Sequence, residues 1–416
     1  MKCLLPMLCG LVSLATATAD TRAVATSINT FGLDLHRRLA GAGGNLVTSP
    51  WSIESALAMT WAGAAQQTKL EMQTVLRLPE DGAAVHAGFA SLAADLDGLA
   101  QKSQDRVKAA RKSGGPATAL EINAANRLFG DRGYPFEKSF LSLTEKSYGA
   151  PLEALDFRKS PEAARLRING WVASRTKDRI PELIPGGVID RDTRLVLTNA
   201  IYLKAPWAQE FEEEPNVPFF VNGTQAAKVA GLVRESRFGY QKLPGGAAVT
   251  IPYADAGLQF VLFVPAAKDG LPALEKKLTP ELLAKTAQAE GRDILLHFPK
   301  FKLEPGRVML SENLIAMGMP SAFNRPVGSA DFSGIAPRKP DDYLYISQVI
   351  HQAFIAVDQH GTEAAAATAV VMPRAVSAPM EKPKPLEIRV DRPFAFAIQH
   401  QGSGACLFLG RVTDPR

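Results

Sequence analysis

Gly361-Thr362-Glu363-Ala364-Ala365-Ala366-Ala367-Thr368-Ala369-Val370-Val371 is the stretch of the 416-residue sequence that decides the fold. As a helix it would have good helix formers and Thr362 as N-cap, but almost no apolar stripe, because alanine packs little. As a strand, every second residue from Thr362 to Val370 shares one face, while Glu363 lies on the other face, in solvent. The pattern favours a segment of small residues that becomes a strand by entering a sheet already formed and packed.

The sequence on both sides of this stretch agrees with that interpretation. Residues 345–358 predict a long buried strand that leads into it. Beyond it the chain reads Met372-Pro373-Arg374-Ala375-Val376-Ser377-Ala378-Pro379 and is then rich in proline and lysine up to residue 385. A helix begun at Thr362 would run into these prolines, which helices do not tolerate in their interior.

Helices dominate the front half of the chain and strands the back half, which predicts an α+β fold with large sheets. Apolar periodicity predicts helices over 27–39, 52–78, 84–113, 165–183 and 310–317. Apolar or alternating runs predict strands over 120–129, 195–203, 247–252, 258–264 and 294–298. Two hairpins are expected, one over 219–230 around Asn222-Gly223 and one joining 394–400 to 406–412.

Several motifs in the same order along the chain resemble those of the serpin family, from about Ser27 to Pro415. Residues 361–368 are similar to the hinge of inhibitory serpins, and Ile346-Ser347-Gln348-Val349-Ile350-His351-Gln352-Ala353 resembles the strand before it. The other matching motifs are Asn45 to Ile53, Leu197-Thr198-Asn199-Ala200-Ile201-Tyr202-Leu203-Lys204 with Trp207, Arg392-Pro393-Phe394, and Phe408-Leu409-Gly410-Arg411-Val412. Gln359 and His360 depart from the family pattern, and the exposed loop is several residues longer than is common.

The resemblance implies three β-sheets, eight or nine helices and an exposed reactive-centre loop over about 359–385. It implies a suicide-substrate inhibitor whose loop a serine protease cuts, forming an acyl-enzyme. The hinge Gly361, Thr362, Glu363, Ala364, Ala365, Ala366, Ala367 and Thr368 then enters the main sheet as a new strand. The expected partner is a serine protease in a covalent complex, and the inhibitor itself is expected to be a monomer without a cofactor.

The resemblance also assigns residues to the two steps. Ser49, Ser52, Asn199 and His351 would form a hydrogen-bonded cluster under the sheet that controls its opening. Counting from Gly361 as the family does places the scissile bond between Ala375 and Val376, where alanine suits an elastase-like pocket. The alternative bond, between Arg374 and Ala375, would suit a trypsin-like pocket, because such a pocket holds an aspartate.

Residues 1–19 are typical of a secretory signal peptide: Lys2, an apolar run, and small residues ending at Ala19. The run is too short to span a bilayer, so a secreted or periplasmic protein is expected, with no membrane partner. Residues 20–416 hold no linker-like segment and are expected to form a single domain. Cys3 and Cys9 leave with the signal peptide and Cys406 has no partner, so the core must stabilise the fold without disulfides.

The charge of the whole chain, +5 at pH 7, is too weak to indicate nucleic acid. One basic cluster stands out at the end of a predicted helix: Lys102, Arg106, Lys108, Arg111 and Lys112. Basic residues in a last turn complement the helix dipole, which is the simpler explanation; a polyanion-binding patch is the alternative.

Motifs of catalysis are missing. The six histidines form no metal-binding spacing, no serine lies in a GxSxG turn, and no phosphate-binding glycine loop occurs. We therefore expect no metal site and no enzymatic activity, although a triad built from distant residues escapes such a search. The alternative to an inhibitor is a non-inhibitory relative with the same fold, a carrier or chaperone-like binding protein.

Overall fold

The computed structural model describes residues 19–112, 118–124, 126–221, 225–255, 257–363 and 384–416. Within these residues nine α-helices alternate with strands in the first half of the chain and become short in the second. They are α1 Ala19–Ala40, α2 Pro50–Trp61, α3 Gln66–Leu76, α4 Gly82–Lys112, α5 Lys138–Tyr148, α6 Pro161–Arg175, α7 Leu271–Glu275, α8 Pro280–Thr286 and α9 Ser311–Met317.

Nineteen strands are described, and they are concentrated in the second half of the chain. They are β1 Leu46–Thr48, β2 Glu121–Ala124, β3 Arg127–Asp131, β4 Leu152–Leu155, β5 Leu195–Thr198, β6 Ala200–Pro206, β7 Glu212–Val221, β8 Gln225–Leu243, β9 Gly246–Pro252, β10 Leu258–Pro265, β11 Gly291–Pro299, β12 Phe301–Leu303, β13 Val308–Met309, β14 Ile350–Ala353, β15 Ile355–Val357, β16 Gly361–Thr362, β17 Leu386–Arg389, β18 Phe394–His400 and β19 Cys406–Val412.

These strands form three sheets in the described residues, which confirms the α+β fold. The nine-stranded sheet runs β1-β19-β18-β10-β9-β8-β11-β17, with β7 also paired to β8. The seven-stranded sheet runs β12-β15-β16-β6-β14-β13, with β2 also paired to β6, and the three-stranded sheet runs β4-β3-β5. The three-stranded sheet continues the seven-stranded one, because β5 and β6 follow each other along one strand line interrupted only at Asn199.

The main core lies between the sheets and the helices of the first half. Phe31 of α1, Trp61 of α2, Phe89 of α4 and Phe260 of β10 are all almost completely buried there. Burial of this kind is the main term that stabilises a chain of this length. Cys406, the one cysteine among the described residues, is buried and forms no disulfide. No helix in the described part is long and apolar enough to cross a membrane.

The single helix predicted over 52–78 is wrong, because the chain turns between α2 and α3. Ser49 caps α2, its side chain accepting the N–H of Ser52, and Pro50 occupies the first turn. At Gly63 the backbone passes so close to residues 334–335 that an added Cβ would lie 2.2 Å from a side-chain carbon of Ile335. This long-range contact overrides a continuous apolar periodicity.

The long strand predicted over 345–358 is only partly formed. Regular pairing begins at Ile350 and is interrupted at Phe354 between β14 and β15. The predicted helix over 165–183 ends earlier, at Arg175, after which a loop continues to β5. The two predicted hairpins are present as the pairs β7–β8 and β18–β19, although residues 222–224 of the first turn lie outside the described residues.

Candidate functional site

The first two residues of the predicted hinge already form a strand, β16, at one end of the seven-stranded sheet. Gly361 and Thr362 pair antiparallel with Pro206 and Ala205 of β6. On the other side, Thr362 pairs antiparallel with Val357 of β15. The hinge therefore begins inside the sheet, between two strands that it holds apart.

Gly361 is required here because the hinge lies directly against the backbone of β6. An added Cβ would come within 2.2 Å of the carbonyl oxygen of Ala205 and 2.7 Å of the Cα of Pro206. Neither atom can move without shifting β6 itself. Any side chain at position 361 would push the hinge out of the sheet.

Thr362 points into the core. Its side chain is buried and shares a 2.5 Å hydrogen bond with the hydroxyl of Tyr253. Tyr253 in turn stacks flat on Trp207, with ring centroids 4.7 Å apart. Burial raises the pKa of Tyr253, so its hydroxyl stays protonated and available for this bond.

Glu363 ends the inserted segment. Its φ of 47° lies in the left-handed region, which β-strands do not use, so the chain turns away from the strand course here. Its carboxylate pairs with the guanidinium of Arg179, in the loop after α6. In this state its side chain is only 10% exposed, because Arg179 covers it. The expectation that Glu363 faces solvent concerns the inserted strand, and it stays a prediction.

Both members of the Arg179–Glu363 pair have raised pKa values, for different reasons. The hydrogen bond to Glu363 raises the pKa of Arg179. Desolvation by burial raises the pKa of Glu363, although Arg179 works against that shift. The guanidinium therefore offsets part of the cost of holding a carboxylate away from water.

Ser49, Ser52, Asn199 and His351 come together beneath the middle of the seven-stranded sheet. The N–H of Ser49 donates to Nε2 of His351 at 3.1 Å, and Nδ1 of His351 lies 3.3 Å from Oδ1 of Asn199. The side-chain amide of Asn199 donates to the carbonyl of Ser52 and, at 3.1 Å, to Oδ1 of Asn126. The cluster joins the start of α2 to two neighbouring strand lines of the sheet.

This geometry assigns one tautomer to His351. Nε2 accepts from a backbone N–H, so the single proton of the neutral ring is on Nδ1 and is donated to Asn199. Desolvation by burial lowers the pKa of His351 to about 3. A charged ring would lose the bond to Ser49, and the cluster therefore requires a neutral histidine.

The hinge would enter the sheet between two strand lines, β5–β6 on one side and β14–β15 on the other, and we call the gap between them the seam. Among the described strands, the two lines pair directly at only one place. Gln352 and Ala353 of β14 pair in parallel with Ala200 and Ile201 of β6, next to His351. Further from β16, cavities of about 70 Å³ and 40 Å³ separate residues 195–197 from residues 346–350. Their lining is mostly apolar, with Ile184, Leu195 and Ile350 contributing to the larger one.

The remaining predicted site residues are placed as follows. Hinge residues 364–368 and both candidate scissile bonds, Ala375–Val376 and Arg374–Ala375, lie outside the described residues. Lys102, Arg106, Lys108, Arg111 and Lys112 are all exposed along the last part of α4. Arg106 is paired with Asp255 and Lys108 lies 3.4 Å from Asp105, so acidic side chains partly neutralise the cluster.

Tyr253, Arg179 and Asn126 belong to the site but were not predicted. Each contacts a predicted residue across more than 70 positions of sequence, through Thr362, Glu363 and Asn199 respectively. No local pattern marks them. Within the described part, no group of three or more histidine, cysteine or acidic side chains is placed to hold a metal ion.

Comparison with known proteins gives consistent matches. The family model described as serpin, serine protease inhibitor, matches residues 26–415. The chain is 36% identical to bovine leukocyte elastase inhibitor over 398 residues, covering 92% of this chain and 97% of the relative. It is 34% identical to mouse antithrombin-III over 379 residues, covering 89% of this chain and 76% of the relative.

Solved structures agree on the fold. The structure of cleaved Serpin 42Da matches with a TM-score of 0.78 and 30% identity, covering 96% of this chain and 100% of that chain. Human thyroxine-binding globulin, solved in a complex with thyroxine, matches with a TM-score of 0.75 at 23% identity, covering 95% of this chain and 100% of that chain. At that identity the second likeness concerns the fold alone.

Proposed function

This chain belongs to the serpin family, and from that premise we propose that it inhibits serine proteases by inserting its cut loop into the seven-stranded sheet. The proposal is supported by β16, which holds the first two hinge residues between β6 and β15. It is also supported by the names of the relatives, leukocyte elastase inhibitor and antithrombin-III, which match this chain over most of its length.

The register of β16 predicts where each later hinge residue would lie after cleavage. Thr362 is opposite Ala205 on one side and Val357 on the other. Continuing both antiparallel registers places Thr368 between Asn199 and His351. Both extrapolated registers place Ala200 level with Gln352, and these two residues are paired in the structure. The two extrapolations therefore agree with each other.

The faces of the neighbouring strands fit the composition of the hinge. Residues that would lie beside Ala364, Ala366 and Thr368 point inward and are buried: Leu203, Ile201 and Asn199 on β6 and its extension, and Ile355, Ala353 and His351 on the other side. An inserted strand must put its own side chains into this packed layer. Alanine and threonine can do so without displacing the core, because they add little volume.

The energy of insertion follows from the number of backbone pairs. Entry of the loop separates two residue pairs between β6 and β14. It creates a central strand of about twelve residues with neighbours on both sides, at about 1 kcal/mol net per hydrogen bond, so on the order of 10 to 20 kcal/mol is released. A protease is stable by only about 5–15 kcal/mol, so insertion can distort the active site of an attached protease and stall deacylation.

The direct test mixes the purified protein with elastase, trypsin and subtilisin and analyses the products by denaturing electrophoresis. A covalent inhibitor gives a band that resists SDS and contains both proteins. Complete cleavage of the loop without that band would favour the alternative function, a carrier or chaperone-like protein with the same fold. Hydrolysis of substrates by the purified chain that survives replacement of Ala375 would instead indicate an enzyme.

The target and the scissile bond are part of the proposal. Cleavage at Ala375–Val376 suits an elastase-like protease, and the names of the relatives in cattle, horse and pig favour that class. Cleavage at Arg374–Ala375 would indicate a trypsin-like protease. Mass spectrometry of the fragments released by each protease identifies the bond directly.

We also propose that residues 1–19 direct export and that residues 20–416 form one domain. Export is tested by the N-terminal sequence of the processed protein, which should begin at Asp20.

Binding of a polyanion by the α4 cluster is tested by adding heparin to the inhibition assay, with Lys102→Ala, Arg111→Ala and Lys112→Ala combined as the control variant. No acceleration by heparin in the unaltered protein would leave the helix dipole as the role of these residues.

A further inference from the structure

The root of the hinge, residues 358–360, is a turn fixed by the side chain of Asp358. Oδ1 of Asp358 accepts the N–H of His360 at 2.8 Å and the N–H of Gly361 at 3.1 Å. The N–H of Trp207 donates to the carbonyl of His360 at 2.9 Å. The turn therefore joins the end of β15 to the segment that follows β6, directly above β16.

Three successive side-chain contacts, here called the contact network, cross this turn. Nζ of Lys300 donates to Oε1 of Gln359 at 3.2 Å, and Nε2 of Gln359 lies 3.2 Å from Nε2 of His360. Nδ1 of His360 then lies 3.0 Å from Oε1 of Glu210, within ion-pair distance although not aligned as a hydrogen bond. Lys300 lies between β11 and β12, and Glu210 follows β6. The contacts therefore connect the strands on one side of β16 with the strand on its other side.

The donors and acceptors of the contact network are compatible with only one protonation state of His360. A lysine ammonium can only donate, so Gln359 must turn its oxygen to Lys300 and its NH₂ to His360. Nε2 of His360 must then be an acceptor, which puts the single ring proton on Nδ1, facing Glu210. The contacts therefore require a neutral His360.

A proton added to Nε2 of His360 interrupts the contact network in either orientation of the Gln359 amide. In the present orientation, the N–H of the charged ring would face the NH₂ of Gln359. If the amide turned over, its NH₂ would instead face the ammonium of Lys300. One of the two hydrogen bonds is lost in either case, and Lys300 keeps only its second partner, Glu213, at 3.0 Å.

The charged groups around His360 do not provide a replacement tether to Lys300. Glu210 would gain an ion pair with the charged ring, but this pair is partly exposed, and partly exposed ion pairs contribute little to stability. Asp358 is already used by two backbone N–H groups, and Arg234 binds the backbone of Glu210 rather than its carboxylate. Lys300 itself repels a charged ring.

We propose that His360 is a positioning residue for loop insertion: its neutral form tethers the hinge root to Lys300 through Gln359, and its protonation releases that tether. Protonation of the ring therefore weakens the hold on β16. The consequence for inhibition rests on the proposed function, but the tether itself is a property of the free protein.

The test measures hydrogen–deuterium exchange of residues 361–363 in the free protein at pH 7.5 and pH 5.5, corrected for the intrinsic pH dependence of exchange. Loss of one hydrogen bond, at about 1 kcal/mol, should reduce the protection of these amides about fivefold at pH 5.5. His360→Gln keeps a neutral acceptor and should abolish the change. His360→Arg and Lys300→Met lack the tether and should show low protection at both pH values.

A second measurement separates this proposal from the proposed function. The rate of complex formation with elastase is measured at both pH values and expressed as variant over unaltered protein, which cancels the titration of the protease. Both variants lose the pH dependence of the unaltered protein, so the two ratios should change by about the same factor and in the same direction. The ratio for His360→Gln departs from 1 at pH 5.5, and that for Lys300→Met departs from 1 at pH 7.5. If no complex forms, the inhibitor function fails while the exchange data still test the tether. Equal protection at both pH values, or an acid effect that persists in His360→Gln, overturns the proposal.

Discussion

Thr362→Arg should convert the inhibitor into a substrate. Thr362 is buried between β6 and β15, and its hydroxyl is bonded to Tyr253. An arginine there would need space for several more heavy atoms in a packed layer and would bury a charge away from water. β16 should therefore leave the sheet, and insertion after cleavage would have to start without its first two residues.

The size of the effect follows from the cost of the buried charge. Removing an unpaired ion from water costs several kcal/mol in a real protein. If only about 3 kcal/mol of this cost is present at the transition state of insertion, insertion slows by about 100-fold or more. Deacylation of the bound protease is unaffected by the change, so hydrolysis should win over trapping.

The assay is a titration of elastase or trypsin with the variant, followed by denaturing electrophoresis. Thr362→Arg should give cleaved protein and active protease, with little or no SDS-resistant complex. Thr362→Ser is the matched control, because it keeps the hydroxyl bonded to Tyr253 and loses one methyl group, about 1 kcal/mol. Inhibition by Thr362→Arg at the same stoichiometry as the control would refute the register of β16.

Two further predictions concern the groups on either side of the seam. Burial lowers the pKa of His351 from its ordinary value of 6.5 to about 3 in the folded protein, so the unfolded chain takes up the proton first and stability falls as the pH drops from about 6.5 towards 3. Denaturant unfolding should show that the free energy of unfolding is lower at pH 5 than at pH 7, with about 2 kcal/mol of the difference due to this residue. His351→Gln should remove that part of the pH dependence. The same pH dependence in His351→Gln as in the unaltered protein would contradict the neutral tautomer. Arg179→Ala leaves the carboxylate of Glu363 without its cation, and exchange of the Glu363 amide should become about two- to fivefold faster at pH 7.5. Adding Glu363→Gln to that variant should restore most of the protection, whereas no difference between the single and double variants would exclude the ion pair as the cause.

The hinge was inferred from the sequence because its signal is local, and its insertion stays a prediction. The run of small residues after Gly361 has a period of two, and its meaning does not depend on which strands receive it. The hairpins β7–β8 and β18–β19 were predictable for the same reason, because turn residues and alternation lie close together in the chain. The cluster of Ser49, Ser52, Asn199 and His351 came from family motifs, and the structure adds the hydrogen bonds that join its members.

The contacts that fix the state of the hinge were not predictable from sequence. Arg179 meets Glu363 and Tyr253 meets Thr362 only because distant segments pack together, and nothing in their neighbourhoods distinguishes them from other arginines and tyrosines. The break between α2 and α3 has the same origin, since Gly63 packs against residues 334–335. Periodicity describes which face of a segment is apolar, but tertiary contacts decide where the segment ends.

Thermal unfolding of the loop-cleaved protein, compared with the intact protein, tests most directly whether the loop enters the sheet. Cleavage at the proposed scissile bond by a catalytic amount of protease should raise the unfolding midpoint by roughly 20 °C or more, because insertion contributes on the order of 10 to 20 kcal/mol. A midpoint that is unchanged or lower after complete cleavage would mean that residues 363–375 do not extend β16 as a strand of the sheet, and the trapping mechanism would be wrong.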